Sequence, residues 1–174
     1  DGFFYRKKTV AVVGGGDKAC EEASYLSNLA DKVYMIVRKD YLRASKVMQR
    51  RVMENQKIEI FFNTNTVGLF GDAKVEGAHL VRFKGTDREE TFDIAIDGFF
   101  LGIGHRPNTD IFANQIALDE QGYIKTDGVT TATNIPGVFA AGDVSDPRYR
   151  QAITSAGMGC KAALDAERFL VEQE

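Results

Sequence analysis

The sequence predicts an α/β chain built on a doubly wound parallel sheet, with a small antiparallel meander inserted into it. Three observations carry that expectation: the continuous apolar runs at residues 10–13 and 33–37, the glycine cluster Gly14-Gly15-Gly16 between them, and the change to alternation in His79-Leu80-Val81-Arg82-Phe83-Lys84. Continuous apolar runs suit parallel strands buried on both faces, whereas alternation suits a strand with one wet face.

The elements follow in order. After the strand at residues 10–13 and the glycine turn, Ala19, Ala23, Leu26 and Ala30 recur near helical spacing, and residues 33–37 supply the second strand. Strand, turn, helix and strand within about thirty residues make a βαβ unit. Ser45 is placed to cap a helix through Met48, Val52 and Met53, and residues 58–62 form a third strand. Between Thr66 and Ile96 the alternating segments are expected to form the meander, with turns at Gly71-Asp72, at Gly77 and at Gly85-Thr86. Residues 98–103 then resume the sheet, and Gly104-His105-Arg106-Pro107-Asn108 reads as a boundary because glycine and proline punctuate it. Beyond it stand one apolar strand at residues 138–141 and a final helix over residues 153–170.

At 174 residues, 44% hydrophobic and 27% charged, the chain can build one core and a second small one, at roughly 150 residues per domain. Lys and Arg number 22 against 25 Asp and Glu, a net charge of −3, which leaves no cationic excess for a nucleic-acid backbone. Cys20 and Cys160 stand far apart, with no C-x-x-C and no histidine at metal-ligand spacing, so neither a disulfide framework nor a metal site is expected, and a reducing cytosol fits. No apolar run reaches the length of about 18 that a membrane helix needs; even residues 94–103 carry Asp97. The opening at Asp1 resembles no targeting segment, and removal of an upstream stretch is expected.

Gly14-Gly15-Gly16-Asp17-Lys18-Ala19 fits G-x-G-x-x-(G/A). The first glycine permits a tight turn, Gly16 lets backbone approach a pyrophosphate, and Ala19 allows close packing of helix on strand, while the helix start offers its N–H groups to the anion. An NAD enzyme places an acid about 20 residues further on. Here Arg38 stands there, followed by Lys39 and Arg43. A basic loop alone is ordinary solvated surface. Beside the glycine turn it reads as a site for a 2′-phosphate, which two guanidiniums can grip bidentately, so NADPH is expected to bind in preference to NADH.

With these residues in view, the chain resembles the low-molecular-weight, bacterial-type thioredoxin reductases, which are NADPH and FAD flavoproteins. The matching stretches are Asp1-Gly2-Phe3-Phe4-Tyr5-Arg6, residues 14–19 with Glu21-Glu22-Ala23, and residues 38–44, 102–109, 135–144 and 149–159, nearly the whole chain. The family commonly carries His-Arg-Arg-x-x-x-Arg where this chain has Val37-Arg38-Lys39-Asp40-Tyr41-Leu42-Arg43, so one polar contact and one guanidinium fork are lost.

The resemblance implies an NADPH-binding domain at residues 1–107, lacking its start, and the C-terminal part of an FAD-binding α/β domain at residues 108–174. The family's redox C-x-x-C stands just before the segment matching Asp1, so Asp1 matches its catalytic acid. Glu21 matches a position near the nicotinamide, though an acid in a first helical turn is also favoured by the dipole. Gly104 joins the cofactor-binding positions, and the segment around His105 is the expected hinge. Gly142 and Asp143 match the Gly-Asp that holds the FAD ribityl; Arg150, Gln151 and Ala152 match the stretch that meets the flavin ring; Gly157 and Gly159 permit close packing. The FAD domain's own first glycine fingerprint has no counterpart here, so residues beyond Asn108 are expected to dock on a companion N-terminal piece or to pack poorly. The implied activity is thioredoxin-disulfide reduction by a cytoplasmic homodimer, electrons passing from NADPH through FAD to the disulfide and to thioredoxin. The alternatives are a non-catalytic NADPH-binding fragment and a related flavoprotein reductase of a peroxide system. Cys20 reads as a packed side chain and His79 as surface.

Overall fold

The computed structural model describes residues 2–174, which divide into two compact units, one ending at Gly104 and the other spanning His105–Glu174. In the first unit β1 (Thr9–Val13), α1 (Asp17–Ser27), β2 (Lys32–Ile36), α2 (Lys46–Met53) and β3 (Ile58–Phe61) follow one another. They are followed by β4 (Thr64–Phe70), β5 (Gly77–Arg82), β6 (Glu90–Ala95) and β7 (Gly98–Leu101). Four strands form a parallel sheet in the order β3-β2-β1-β7, with Val10 opposite both Val33 and Gly98. The remaining three form an antiparallel sheet, β4-β5-β6.

The α/β fold expected from the sequence is present, and the way its two faces are covered explains the apolar runs. On one face Val10, Val12, Val33 and Met35 pack against Ala19, Ala23 and Leu26 of α1 and Met48 and Val52 of α2. On the other, Ala11 and Ile36 meet Ala78 and Leu80 of β5 and Ile94 of β6, so the meander stands where helices would otherwise cover the sheet. Tyr34 stacks on Phe61, and Phe92 meets Phe61 edge-on, which ties the layers together. Asp97, which interrupts the greasiest stretch, accepts the Thr9 N–H and donates its own N–H to the Thr9 carbonyl at 2.7 Å, clamping the starts of β1 and β7.

Local expectations are corrected at several points. Ala30 is buried but lies beyond α1, which ends at Ser27. Ser45 occupies the N-cap of α2 yet makes no side-chain capping bond; it is held instead through its own N–H. Gly77 is a β5 residue and not a turn, and its missing side chain leaves room for the ring of its cross-strand partner Phe70, which a Cβ would meet at 2.0 Å. His79 is on the surface, paired with Asp93 at 2.7 Å.

The second unit holds short 3-10 turns at Asp110–Phe112 and Gly142–Val144, the long helix α3 (Ala152–Val171), and two isolated bridges, Leu118 with Ile124 and Ala132 with Phe139. The strand expected at residues 138–141 is absent: the segment makes one bridge, with Ala140 donating to the Thr131 carbonyl and Thr133 to that of Val138. An apolar strand needs neighbours in register on both sides to satisfy its backbone. Among the described residues of this unit only the short stretch 131–133 runs alongside, on one side, so the segment is left as a single bridge. No residue of α3 is buried, and a Cβ at Gly157 or Gly159 would meet nothing within 4 Å, so the close packing expected there is not made within the described residues. No helix among the described residues is long and apolar enough to cross a membrane.

Candidate functional site

The C-terminal ends of β1, β2 and β7 open onto a cleft of about 850 Å³ in the first unit. Its floor is the turn Gly14-Gly15-Gly16 with Asp17 and Lys18 of α1. Arg38, Lys39, Tyr41 and Arg43, which follow β2, form one side; Asn65, Thr66 and Leu69 of β4, Leu101 at the end of β7, and Ile103 and Gly104 beyond it also line the cleft. This is the carboxyl edge of a parallel sheet, where open α/β folds place their ligands.

The glycines differ in what requires them. Gly14 has φ +138°, and a Cβ there would stand 2.7 Å from the Gly102 carbonyl oxygen and 2.9 Å from the Ala19 Cβ. Gly102 in turn would meet Ala19 at 2.8 Å, so these three small residues are what let α1 approach β1 and β7. Gly15 leaves room for Val37, whose Cγ1 would lie 3.0 Å from an added Cβ. Gly16 is different: its φ of −94° suits any residue, and a Cβ there would meet nothing within 4 Å. Packing inside the chain makes no demand for glycine at 16, whereas close approach of a bound group to the backbone does. Gly16 is also the N-cap of α1, whose first N–H groups have no intrahelical partner.

Arg38, Lys39 and Arg43 are all exposed along the cleft, and among the described residues none has an acidic partner within 4.0 Å. Their backbone is held firmly. Val37 donates to the Phe61 carbonyl and accepts from Thr64, and the Lys39 carbonyl accepts from Asn63 at 3.1 Å. The Arg43 and Ala44 N–H groups both reach the Gly15 carbonyl, at 2.6 and 3.1 Å. Val37, which replaces a polar residue of the resembling family, is buried beneath the glycine turn. Asp40 is exposed and outside the cleft lining. The cleft therefore offers an anion a helix start, open space beside backbone, and three uncompensated cations.

The remaining positions fall elsewhere. Ala19 lies buried behind the turn, and Glu21 is exposed on α1 outside the cleft lining. Cys20 is buried, and its thiol is pushed up to about 11 by burial, with the charges of Asp17 and Glu21 adding to the shift. That disfavours a thiolate nucleophile and fits a packed side chain. Asp1 lies outside the described residues.

In the second unit Gly142 has φ +79° and opens the 3-10 turn that carries Asp143, whose Oδ1 accepts the Ser155 hydroxyl at 3.1 Å. Gln151 is the N-cap of α3, its N–H donating to the Thr154 hydroxyl, and Ala152 is the first helical residue. Arg150 sits at φ +49°. Its guanidinium donates to the Pro147 carbonyl and lies 5.9 Å from the Tyr123 ring centroid, while Nε and Nη1 are buried without a partner among the described residues. Orphaned guanidinium nitrogens are expensive unless a ligand satisfies them, so this corner suits an anionic or carbonyl-rich group.

Sequence reasoning missed Asp146. Buried at 8% exposure, it accepts the N–H groups of Arg148, Tyr149 and Arg150 at 2.8, 2.9 and 3.1 Å and so shapes the loop that presents Arg150. The signal was available in Asp146-Pro147, since an aspartate ahead of a proline turn commonly accepts from the N–H two residues on.

Comparison with known proteins gives these features a context. The profile of the pyridine nucleotide-disulphide oxidoreductase family matches residues 2–159. The mitochondrial thioredoxin reductase of Kluyveromyces lactis is 55% identical over 170 residues, covering 98% of this chain and 48% of that protein. The thioredoxin reductase of Coxiella burnetii is 53% identical over 178 residues, covering 98% and 55%. Among solved structures, thioredoxin reductase from Giardia duodenalis superposes with a TM-score of 0.80 at 42% identity, covering 98% of this chain and 55% of that one. That from Streptococcus pyogenes superposes with a TM-score of 0.86 at 35% identity, covering 99% and 55%. The chain spans about half the length of the curated relatives it matches. A likeness that runs through both units in sequence and in fold makes the chain a member of the pyridine nucleotide-disulphide oxidoreductase family.

Proposed function

We propose that this chain is the NADPH-binding portion, with part of the FAD-binding portion, of a thioredoxin-disulfide reductase. The observation that carries the reading is the unpaired set Arg38, Lys39 and Arg43 beside the open Gly16, in a cleft where no acid follows β2 to select NADH. The relatives' names supply the direction of electron flow. In the cleft NADPH would supply a hydride, and FAD would pass the electron pair on towards a disulfide and so to thioredoxin.

The chain's own residues bind and orient. Gly16 and the start of α1 hold the pyrophosphate, since a helix N-terminus favours an anion and no side chain intervenes. Arg38 and Arg43 fork onto the 2′-phosphate, with Lys39 as a further point charge. Gly14, Gly15, Lys18, Ala19 and Gly104 shape the turn and the cleft mouth; Glu21, assigned near the nicotinamide by resemblance alone, stands outside the cleft lining. In the second unit Gly142, Asp143, Gln151 and Ala152 would hold the flavin cofactor, and Arg150, whose Nε and Nη1 are buried without a partner among the described residues, would donate to it. Asp1, which lies outside the described residues, is assigned by resemblance as the acid that serves the redox thiols. The division of labour assigns NADPH to residues up to 107 and FAD to those after.

The chain's two cysteines form no C-x-x-C, so the 174 residues alone are expected to bind nucleotide without reducing a disulfide. The test is NADPH-driven reduction of a thioredoxin disulfide by the protein that carries these residues together with the redox-cysteine half. Turnover with NADPH far above that with NADH is expected. A protein that reduces another disulfide partner but not thioredoxin belongs to the peroxide-system branch, and equal turnover with NADH removes the reading.

A further inference from the structure

Asp17 is the first residue of α1, beside the turn to which the pyrophosphate is assigned. A carboxylate there opposes an incoming anion, while the helix start itself favours an acid, so what singles Asp17 out is the contact it makes. Its Oδ1 accepts the backbone N–H of Ser45 at 2.8 Å, a contact between residues 28 positions apart. The Gly15 carbonyl accepts the N–H groups of Arg43 and Ala44 alongside it. From the other side Gln49 of α2 donates its side-chain amide to the carbonyls of Leu42 and Ala44, at 3.0 and 2.8 Å. The segment that carries Arg43 is thus stapled to the glycine turn at one edge and to α2 at the other.

We infer that Asp17 is a positioning residue: by holding Ser45 it fixes the Arg43 segment against the glycine turn and thereby sets the preference of the cleft for NADPH over NADH. The inference deepens the NADPH reading and rests on it. Ser45 spends its N–H on this contact and caps α2 with no side-chain bond, so the staple, not the cap, is what the residue contributes. NADPH and NADH share the pyrophosphate but differ at the 2′-phosphate, so a staple that aims Arg43 acts on one nucleotide, whereas a merely structural contact acts on both.

The test is titration of the 174-residue chain and of Asp17→Ala, Asp17→Asn and Ser45→Pro with NADPH and with NADH, alongside melting curves. Ser45 has φ −56°, which suits proline, so Ser45→Pro removes the N–H donor, together with the hydroxyl that also bears on Asp17, and leaves the carboxylate in place. Asp17→Ala and Ser45→Pro are expected to lower the NADPH preference about ten-fold, the scale of one charge-assisted hydrogen bond. Asp17→Asn keeps an oxygen acceptor for Ser45 and is expected to keep most of the preference. Equal loss for both nucleotides, or an unchanged ratio, overturns the inference; if Asp17→Ala melts out, Ser45→Pro decides. A wild-type chain with no preference removes the NADPH reading itself, an outcome visible before any substitution is made.

Discussion

Gly14 and Gly16 stand two residues apart in one turn, and substituting them should move stability in opposite directions. At Gly14, φ +138° strains any side chain and a Cβ would overlap the Gly102 carbonyl at 2.7 Å. Gly14→Ala therefore costs about 2 kcal/mol, the scale of local backbone strain, and lowers Tm by roughly 8–15 °C for a unit of this size. At Gly16 the backbone is ordinary and the space is empty. Gly16→Ser puts a preferred N-cap residue at the start of α1 and reduces the freedom of the unfolded chain, so it should raise stability by about 0.5 kcal/mol. The same hydroxyl takes the N–H groups and the space assigned to the pyrophosphate, so nucleotide affinity should fall by at least about ten-fold, or 1.4 kcal/mol. Thermal melts and titration of NADPH fluorescence read the two effects separately, and with no tryptophan in the chain the nucleotide emission is unobstructed. A Gly16→Ser variant that loses as much stability as Gly14→Ala, or binds NADPH undiminished, refutes the reasoning.

Further outcomes follow from the packing and the buried groups. Gly77→Ala drives a methyl into the Phe70 ring and should cost about 1–3 kcal/mol in urea unfolding, with Gly77→Ala/Phe70→Ala recovering part of the loss. Thiol labelling at pH 8 should modify exposed Cys160 and spare buried Cys20, whose pKa of about 11 leaves roughly one thiolate in a thousand; two equivalents labelled at similar rates would contradict this. The Asp146 carboxyl is held below its ordinary value, chiefly by the Tyr149 N–H and further by Arg148 and Arg150. Its contribution to stability is therefore complete above the unfolded value near 4 and is lost as pH falls through the lowered native value; Asp146→Asn should flatten that acid limb in melts between pH 2 and 6.

The parts of the fold that local pattern determines were readable from residues alone. The β1–α1–β2 unit shows in its apolar runs because both faces of those strands are covered, and the meander shows in the alternation of β6, whereas β5 buries neighbouring residues in pairs and ends at Arg82, short of the alternation expected to run through Lys84. The glycine turn and Arg38, Lys39 and Arg43 were visible by spacing, and the structure brings them to one cleft. What failed depends on partners distant in sequence. Gly77 looked like a turn because nothing in its own stretch shows the Phe70 ring that lies over it. Residues 138–141 looked like a strand because of their apolarity, with most of the neighbours expected to pair with them assigned to a companion N-terminal piece, and within the described residues the segment makes one bridge. Ser45 looked like a cap because its bond to Asp17 spans the whole second strand. The second unit was named through resemblance more than through pattern, and Asp146 went unnoticed because its three bonds are to backbone.

The measurement closest to the central claim is the ratio of NADH to NADPH dissociation constants for the chain and for Arg38→Ala/Arg43→Ala. Two charge-assisted contacts to the 2′-phosphate predict that the wild type favours NADPH by about a hundred-fold and that the double variant binds the two nucleotides alike. Equal losses for NADPH and NADH on removing both arginines would show that the cleft does not read the 2′-phosphate, and would contradict the assignment.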